Sequence, residues 1–357
     1  MKVAIVYDRV NKWGGAERVL LSLHKMFPDA PLYTSVYDGE KADWARVFSR
    51  VIPSFLQNIP YAKYNHEKLA LLMPIVFESF CFDHFDLVIS VTSEAGKGIL
   101  TSSKTKHICY CLTPTRYLWS GHGDYFRNKY LRILSQPAIS YLRKWDIAAS
   151  RRPDVMIAVS SVVQNRIKQY YDRDSVVVHP PVDYLNFSDS NKKKNKDYYL
   201  LVSRLVPYKR NDLAVRAFNE LGLPLVVIGE GVEGQKLKKM ARDNIRFISR
   251  VSDEELGTWY LGAKALIMPQ SEDFGLVAVE AQAYGVPVVS YADSGVRDIV
   301  IEGETGYFFD KQEVGSIMKA LKKTENMEMN PRLIKNNSKR FSFDNFTEKL
   351  LKIINND

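Results

Sequence analysis

Short apolar runs rich in β-branched residues recur along the chain, separated by stretches with helical spacing. One series reads KVAIVY (2–7), DLVISV (86–91), HICYC (107–111) and DVMIAVS (154–160). A second reads YYLLVS (198–203), LPLVVIG (223–229), IRFIS (245–249), KALIMP (264–269), PVVSY (287–291) and GYFF (306–309). The runs are continuously apolar rather than alternating, the pattern of strands covered on both faces in parallel sheets. Strands alternating with helices predict right-handed βαβ units. Between the two series lies HPPVDYLNFSDSNKKKNKD (179–197), rich in Pro, Asn, Ser and Lys, which reads as a connection with a solvated lysine cluster. The prediction is an α/β protein of two doubly wound, Rossmann-like domains, residues 1–182 and 183–357. The terminal FSFDNFTEKLLKIIN predicts a last helix at about 341–355, near the interdomain seam and without a role in chemistry. A length of 357 residues agrees with two cores rather than one. In such sheets ligands sit at the carboxyl ends of the strands, so a cleft between facing domains is the expected site.

Charge adds one constraint. Fifty Lys and Arg against 41 Asp and Glu give a net charge of +9, which favours anionic partners without choosing among them. The three cysteines (Cys81, Cys109, Cys111) have no metal-ligand spacing and read as small buried hydrophobes. The first strand is broken by Asp8 and Arg9, unlike a signal peptide, and no apolar run is long enough to span a membrane. The expected compartment is therefore the reducing cytoplasm, where the sequons at Asn186 and Asn345 carry no weight.

Three strand-to-helix loops carry candidate chemistry. NKWGGAERVLLSLHKMF places Gly14 and Gly15 just before a helix beginning near Ala16. Paired glycines there let an anion approach the backbone, and a tight turn accounts for them equally. SRLVPYKRNDLAVRAFN crowds Arg204, Lys209 and Arg210 at a helix start, with Asn211 or Asp212 as the expected cap. Cations at that end oppose the helix dipole, an arrangement that a bound diphosphate would neutralise. GEGVEG (229–234) matches the dinucleotide fingerprint, but it follows the second strand of its domain, and the next strand ends in Ser249 and Arg250 rather than an acid. The NAD reading is rejected. The third loop, SEDFGLVAVEA, sets Glu272 before a helix and Glu280 about one turn inside it, among Leu, Val and Ala. A buried carboxylate costs several kcal/mol unless donors surround it. Vicinal sugar hydroxyls would supply them, and a salt bridge to a neighbouring arginine is the structural alternative. The amides of Phe274, Gly275 and Leu276 would face a donor sugar or its phosphate.

These residues together resemble a family. EDFGLVAVE is similar to the E-x7-E motif of the retaining glycosyltransferases of family four (group 1), which have the GT-B fold. GGAERV, SSVVQNRI, HPPVD, SRLVPYKR and YGVPVVSYADSGVRDIVIEGETGYFF agree, in order, over nearly the whole chain. YCLTPTRYLW and EDFGLVAVEAQA most resemble bacterial polysaccharide mannosyltransferases that use GDP-mannose. The resemblance implies that Glu280 holds the donor ribose and that Glu272 contacts the transferred sugar. It implies that Arg204 and Lys209 stabilise the leaving diphosphate, and that Gly14 and Gly15 pack against it. Arg116 and Tyr117 become acceptor-side groups. It further implies no catalytic metal, no cofactor besides the nucleotide-sugar substrate, and a glycan or lipid-linked oligosaccharide acceptor. One position departs: Leu112 stands where related sequences usually carry His in C-H-T-P-x-R-Y, and His107, five residues earlier on a strand, cannot substitute.

Residues 125–152 hold seven Lys and Arg with one Asp, interleaved with aromatic and aliphatic residues, and YAKYNHEKLALLMPIVFESFCF upstream is similar. Such stretches suit an anionic membrane surface, or a helix facing the N-terminal core. No nucleic-acid module appears. The expected activity is hexosyl transfer, with a UDP-sugar transferase, a sugar-nucleotide epimerase and a non-catalytic nucleotide-sugar-binding protein as alternatives.

Overall fold

A computed structural model describes residues 1–125, 129–182, 197–325 and 329–356. The sequon at Asn186, the lysine cluster at 192–196, and Phe126 and Arg127 of the basic aromatic stretch lie outside the described residues. The chain divides into two compact units, residues 1–181 with 346–357, and residues 182–345.

The first unit holds a parallel seven-stranded sheet of order β3-β2-β1-β4-β5-β6-β7. Its strands are β1 (Val3–Tyr7), β2 (Leu32–Thr34), β3 (Val51–Pro53), β4 (Leu87–Thr92), β5 (Lys106–Cys111), β6 (Val155–Ala158) and β7 (Val176–Val177). The second unit holds a parallel six-stranded sheet of order β10-β9-β8-β11-β12-β13. There β8 is Tyr198–Val202, β9 Leu225–Ile228, β10 Ile245–Ile248, β11 Ala263–Met268, β12 Val288–Tyr291 and β13 Gly306–Phe309. In both sheets strand order reverses between the first strand and the fourth, which makes the ends of β1 and β4, and of β8 and β11, the topological switch points.

All ten apolar runs are strands. β1 and β4 are buried at every position, as strands covered on both faces must be. β2, β3 and β7 were not expected. They are two or three residues long, and β3 ends in Pro53 at the sheet edge, so none carries a run that periodicity detects.

The last helix corrects the assignment of residues 183–357 to one domain. It spans Phe343–Asn355, and residues 346–357 belong to the first unit. Phe346 lies edge-on to Tyr110 of β5 (6.0 Å, 74°), and Lys106 Nζ donates to the terminal carbonyls of Ile354 (2.9 Å) and Asn356 (2.7 Å). A lysine on the final carbonyls satisfies groups the helix leaves open and favours its negative end.

Cys109 and Cys111 are buried, whereas Cys81 is exposed, contrary to the expectation for all three. His107 is fully buried on β5 with Nε2 2.8 Å from Ser90 Oγ. Burial lowers its pKa to about 3, so it stays neutral inside the core, remote in role from the missing histidine at Leu112.

Candidate active site

In the second unit, four carboxyl-end loops converge on one another through backbone contacts that only glycine permits. Gly229 and Gly231 have φ +142° and +158°. A Cβ on either would lie 1.9 Å from Ser203 O or 2.3 Å from Leu205 O. The G-x-G pattern thus exists so that the loop after β9 can press on the loop after β8, which needs no dinucleotide. Gly295, likewise, leaves no room for a Cβ, which would sit 2.1 Å from Asp273 O. The loop after β12 therefore grips the loop after β11: Gly295 N donates to Glu272 O (2.8 Å), Glu272 N to Ser294 Oγ (3.0 Å) and Ser271 Oγ to Asp293 O (2.7 Å).

These contacts fix Glu272. Its Oε1 accepts from Lys209 Nζ in an ion pair and from Gln270 Nε2 (2.8 Å). Both ion-pair side chains are mostly shielded, with 13% and 20% of their surface exposed, which strengthens the pair relative to a surface one. Arg204 is exposed and donates through Nη2 to the Tyr208 hydroxyl. The Tyr208 ring lies 5.9 Å from the Arg204 guanidinium and 5.6 Å from Lys209 Nζ, so one aromatic ring is near both cations.

The cap expected at Asn211 or Asp212 is not there. The helix Asn211–Leu221 is preceded by Arg210 in the left-handed region (φ +51°) with no side-chain cap. Asn211 is instead buried and turned back onto the loop, accepting from Ser203 Oγ (3.1 Å) and donating to Arg204 O (3.2 Å). It holds the strand-end backbone from which Arg204 projects.

Gly275, at φ +105°, opens the helix Leu276–Ala283, and a Cβ there would lie 2.8 Å from Val296 Cγ2. The first amides of that helix, from Gly275 and Leu276 onward, have no intrahelical acceptor and carry the positive end of its dipole. Phe274 is buried edge-on to Phe341 (5.5 Å, 65°). Glu280 is 6% exposed and accepts from Tyr260 OH (3.2 Å), whose ring stacks on Tyr284 (5.5 Å, 22°). A tyrosine hydroxyl is thus one donor to that carboxylate. Burial and the nearby Glu280 charge push the Tyr284 phenol above its ordinary pKa, which keeps it neutral beside the acid.

Glu272, Lys209, Arg204, Glu280, Phe274, Gly275 and Leu276 therefore gather at the carboxyl ends of β8 and β11. Gly14, Gly15, Arg116 and Tyr117 belong to the first unit. Gly14 is extended (φ −177°), a conformation open to any residue; its small size matters because a Cβ would stand 3.1 Å from Glu17 Oε2. Gly15 begins the helix Gly15–Met26 and is exposed. Arg116 and Tyr117 are half-buried in the loop after β5, and burial raises the Tyr117 phenol far above its ordinary pKa. Leu112 continues the ladder through its amide to Thr92 O (2.8 Å).

Sequence reasoning missed Tyr208, Gln270, Ser294, Gly295 and Tyr260. Only Gly295, in the quoted DSGVRD segment, left a readable mark.

Residues 184–341 match the family model described as Glycosyl transferases group 1. The chain is 34% identical over 193 residues to a D-inositol 3-phosphate glycosyltransferase of Frankia alni, covering 45% of this chain and 46% of that one. It is 29% identical over 198 residues to a GDP-mannose-dependent alpha-(1-6)-phosphatidylinositol monomannoside mannosyltransferase of Mycolicibacterium smegmatis, covering 47% and 52%. The matched stretch thus spans about half the length of these curated relatives. Among solved structures, Anabaena HepE in complex with UDP and glucose aligns over 99% of both chains with TM-score 0.72 at 16% identity, a likeness of fold. The group 1 glycosyltransferase match thus covers residues 184–341, within a chain that has the two-domain GT-B fold throughout.

Proposed function

We propose that the protein is a retaining, metal-independent glycosyltransferase that moves a hexose, mannose from GDP-mannose, onto a growing or lipid-linked bacterial surface polysaccharide. The observation that carries this reading is the Lys209–Glu272 pair joining the loops after β8 and β11, beside Arg204, with the buried Glu280 in the helix that follows Glu272. Lys209 and Arg204 supply the positive charge a departing diphosphate needs, in a partly shielded place where that charge is effective. Glu272 and Gln270 offer a carboxylate and an amide for hydroxyls of the transferred sugar. Glu280, already facing one hydroxyl donor, suits the vicinal hydroxyls of a ribose. No protein nucleophile is assigned.

The Mycolicibacterium smegmatis relative, GDP-mannose-dependent by name, supports the choice of donor. The UDP and glucose of the Anabaena structure favour a second reading, a UDP-hexose donor at the same residues. Thermal-shift titration with GDP, UDP, ADP and their sugar conjugates separates them. A ligand at ~100 times its Kd stabilises by ~2.7 kcal/mol. A response confined to GDP and GDP-mannose is expected. A UDP-only response would discard mannose, and silence toward every nucleotide would remove the site. Release of a free epimer without acceptor would indicate an epimerase. Binding of donor without transfer or hydrolysis would indicate a non-catalytic protein, with Leu112 as its mark. Turnover retained in excess chelator is expected for the metal-independent reaction.

A lipid-linked acceptor calls for a membrane-facing surface. No helix among the described residues is long and apolar enough to cross a membrane. The first unit exposes Leu71 and Ile75 near Lys68, and Tyr130, Ile133 and Leu134 near Arg132. Ala70 packs against the cluster of Leu118, Ile139 and Leu142, which ties the first segment to the helix that follows the second. Basic residues among exposed apolar ones favour anionic headgroups by about 1 kcal/mol each. Flotation with phosphatidylglycerol-containing vesicles, but not with pure phosphatidylcholine, is expected, with loss on raising salt and in an Ile133→Ser, Leu134→Ser double variant. Equal recovery with both vesicle types would count against the contact.

A further inference from the structure

Arg204, Lys209 and Arg210 stand in the loop after β8, and their partners differ. Lys209 is paired with Glu272, and Arg210 Nε lies 3.6 Å from Asp212 Oδ1. Arg204 has no carboxylate partner among the described residues. Its guanidinium donates through Nη2 to the Tyr208 hydroxyl, the one hydrogen-bond acceptor it meets among them.

Both ends of this arginine are nevertheless held. Its carbonyl accepts from Ser203 Oγ (2.8 Å), Val206 N (3.0 Å) and Asn211 Nδ2 (3.2 Å), which fixes the backbone at the end of β8. Tyr208 is fixed in turn. It lies in the short turn Pro207–Lys209, closed by Lys209 N on Val206 O (3.0 Å) and Arg210 N on Pro207 O (3.1 Å). Arg210 ends that turn at φ +51°, a strained conformation for a residue with a Cβ, which persists only where the surroundings impose it.

The choice of a hydroxyl as tether has a physical consequence. A long side chain left free on the surface loses its rotamer freedom when it meets an anion, which weakens binding. A carboxylate tether would prevent that loss but would cancel part of the positive charge. A hydroxyl takes one N–H and leaves the charge, with the Nε and Nη1 donors, for phosphate oxygens.

We propose that Tyr208 is a positioning residue for the donor, its hydroxyl holding Arg204 ready for the diphosphate without neutralising it. The effect runs through Arg204, not through a contact between Tyr208 and the ligand. The assignment rests on the diphosphate role of Arg204 in the glycosyl-transfer reading, and adds the residue that sets how tightly Arg204 grips.

The test is calorimetric titration of the full chain with the pairs GDP and GMP, UDP and UMP, and ADP and AMP. Wild type, Tyr208→Phe, Arg204→Ala and the double variant are compared. Phe keeps the ring, and position 208 is 39% exposed in a loop outside the core, so the variant should fold normally. Tyr208→Phe should weaken the diphosphate that the wild type binds about three- to tenfold, the scale of ordering one long side chain. Affinity for the monophosphate of the same base should stay unchanged, and in the Arg204→Ala background Tyr208→Phe should alter neither. An unchanged diphosphate affinity in Tyr208→Phe would overturn the role. So would an equal loss for mono- and diphosphate, or a loss that persists without Arg204. A wild-type protein that binds no nucleotide, or binds mono- and diphosphate equally, would overturn the diphosphate reading and the positioning role with it.

Discussion

Lys209→Ala is expected to lower kcat about 10²–10³-fold, the loss typical of removing one preorganised group that stabilises developing charge. The ammonium sits in a shielded ion pair with Glu272 and beside the Tyr208 ring, so its position is set before any substrate arrives. The variant should fold normally, because the lysine lies in a loop outside the core of the second unit. Glu272→Ala separates two roles for its partner. If Glu272 only holds Lys209, the double variant will be no slower than Lys209→Ala alone. If Glu272 also meets the sugar, the two losses will combine, and a double-mutant cycle on kcat/KM reads the difference. Turnover by Lys209→Ala within threefold of the wild type would remove the diphosphate role from this residue.

A comparably large effect, on stability, is expected at Asp146. Asp146 and Lys97 each have 1% of their side chain exposed, and Asp146 receives four hydrogen bonds from Lys97, Thr115, Trp119 and Tyr171. Removing one partner leaves an uncompensated buried charge, which costs about 3–5 kcal/mol. Asp146→Ala should therefore destabilise the first unit by that amount in urea denaturation followed by circular dichroism. Replacing both members together, Lys97→Met with Asp146→Leu, should recover only part of the loss: the unpaired buried charge is removed, but Thr115, Trp119 and Tyr171 still lose Asp146 as acceptor. A single variant as stable as the wild type would mean that water or Tyr171 already compensates the lysine. The pair also anchors the loop from Thr115 to Trp119, which carries Arg116 and Tyr117, so the double variant should retain its fold while losing some definition of that loop.

The comparison of chain and fold shows where each kind of information resides. The ten apolar runs were legible because a strand buried on both faces must be apolar at consecutive positions, a local property. Glu280 was legible for the opposite reason: a carboxylate within an apolar helix breaks its surroundings. The alternation of strand and helix was enough for a two-domain α/β fold, and the charged residues of the loops after β8 and β11 stood out in the sequence.

Pairwise contacts between distant segments were not legible. Nothing in DSGVRD says that Gly295 must lie against the backbone of Asp273, or in GEGVEG that its glycines make room for Ser203 and Leu205. A cap was expected at Asn211 because short polar residues commonly fill that role; its carboxamide instead pairs with Ser203 and Arg204 at the strand end. Helix Phe343–Asn355 follows the second unit in sequence, yet its end joins the first, where Lys106 and Tyr110 offer a carbonyl partner and a ring. Hydrophobic periodicity and residue chemistry by themselves determined the architecture and the charged groups of the candidate site. Tertiary structure alone decided which donor faces which acceptor, because hydrogen bonds and ion pairs depend on ångström-scale distances between residues tens of positions apart, a quantity no local pattern encodes.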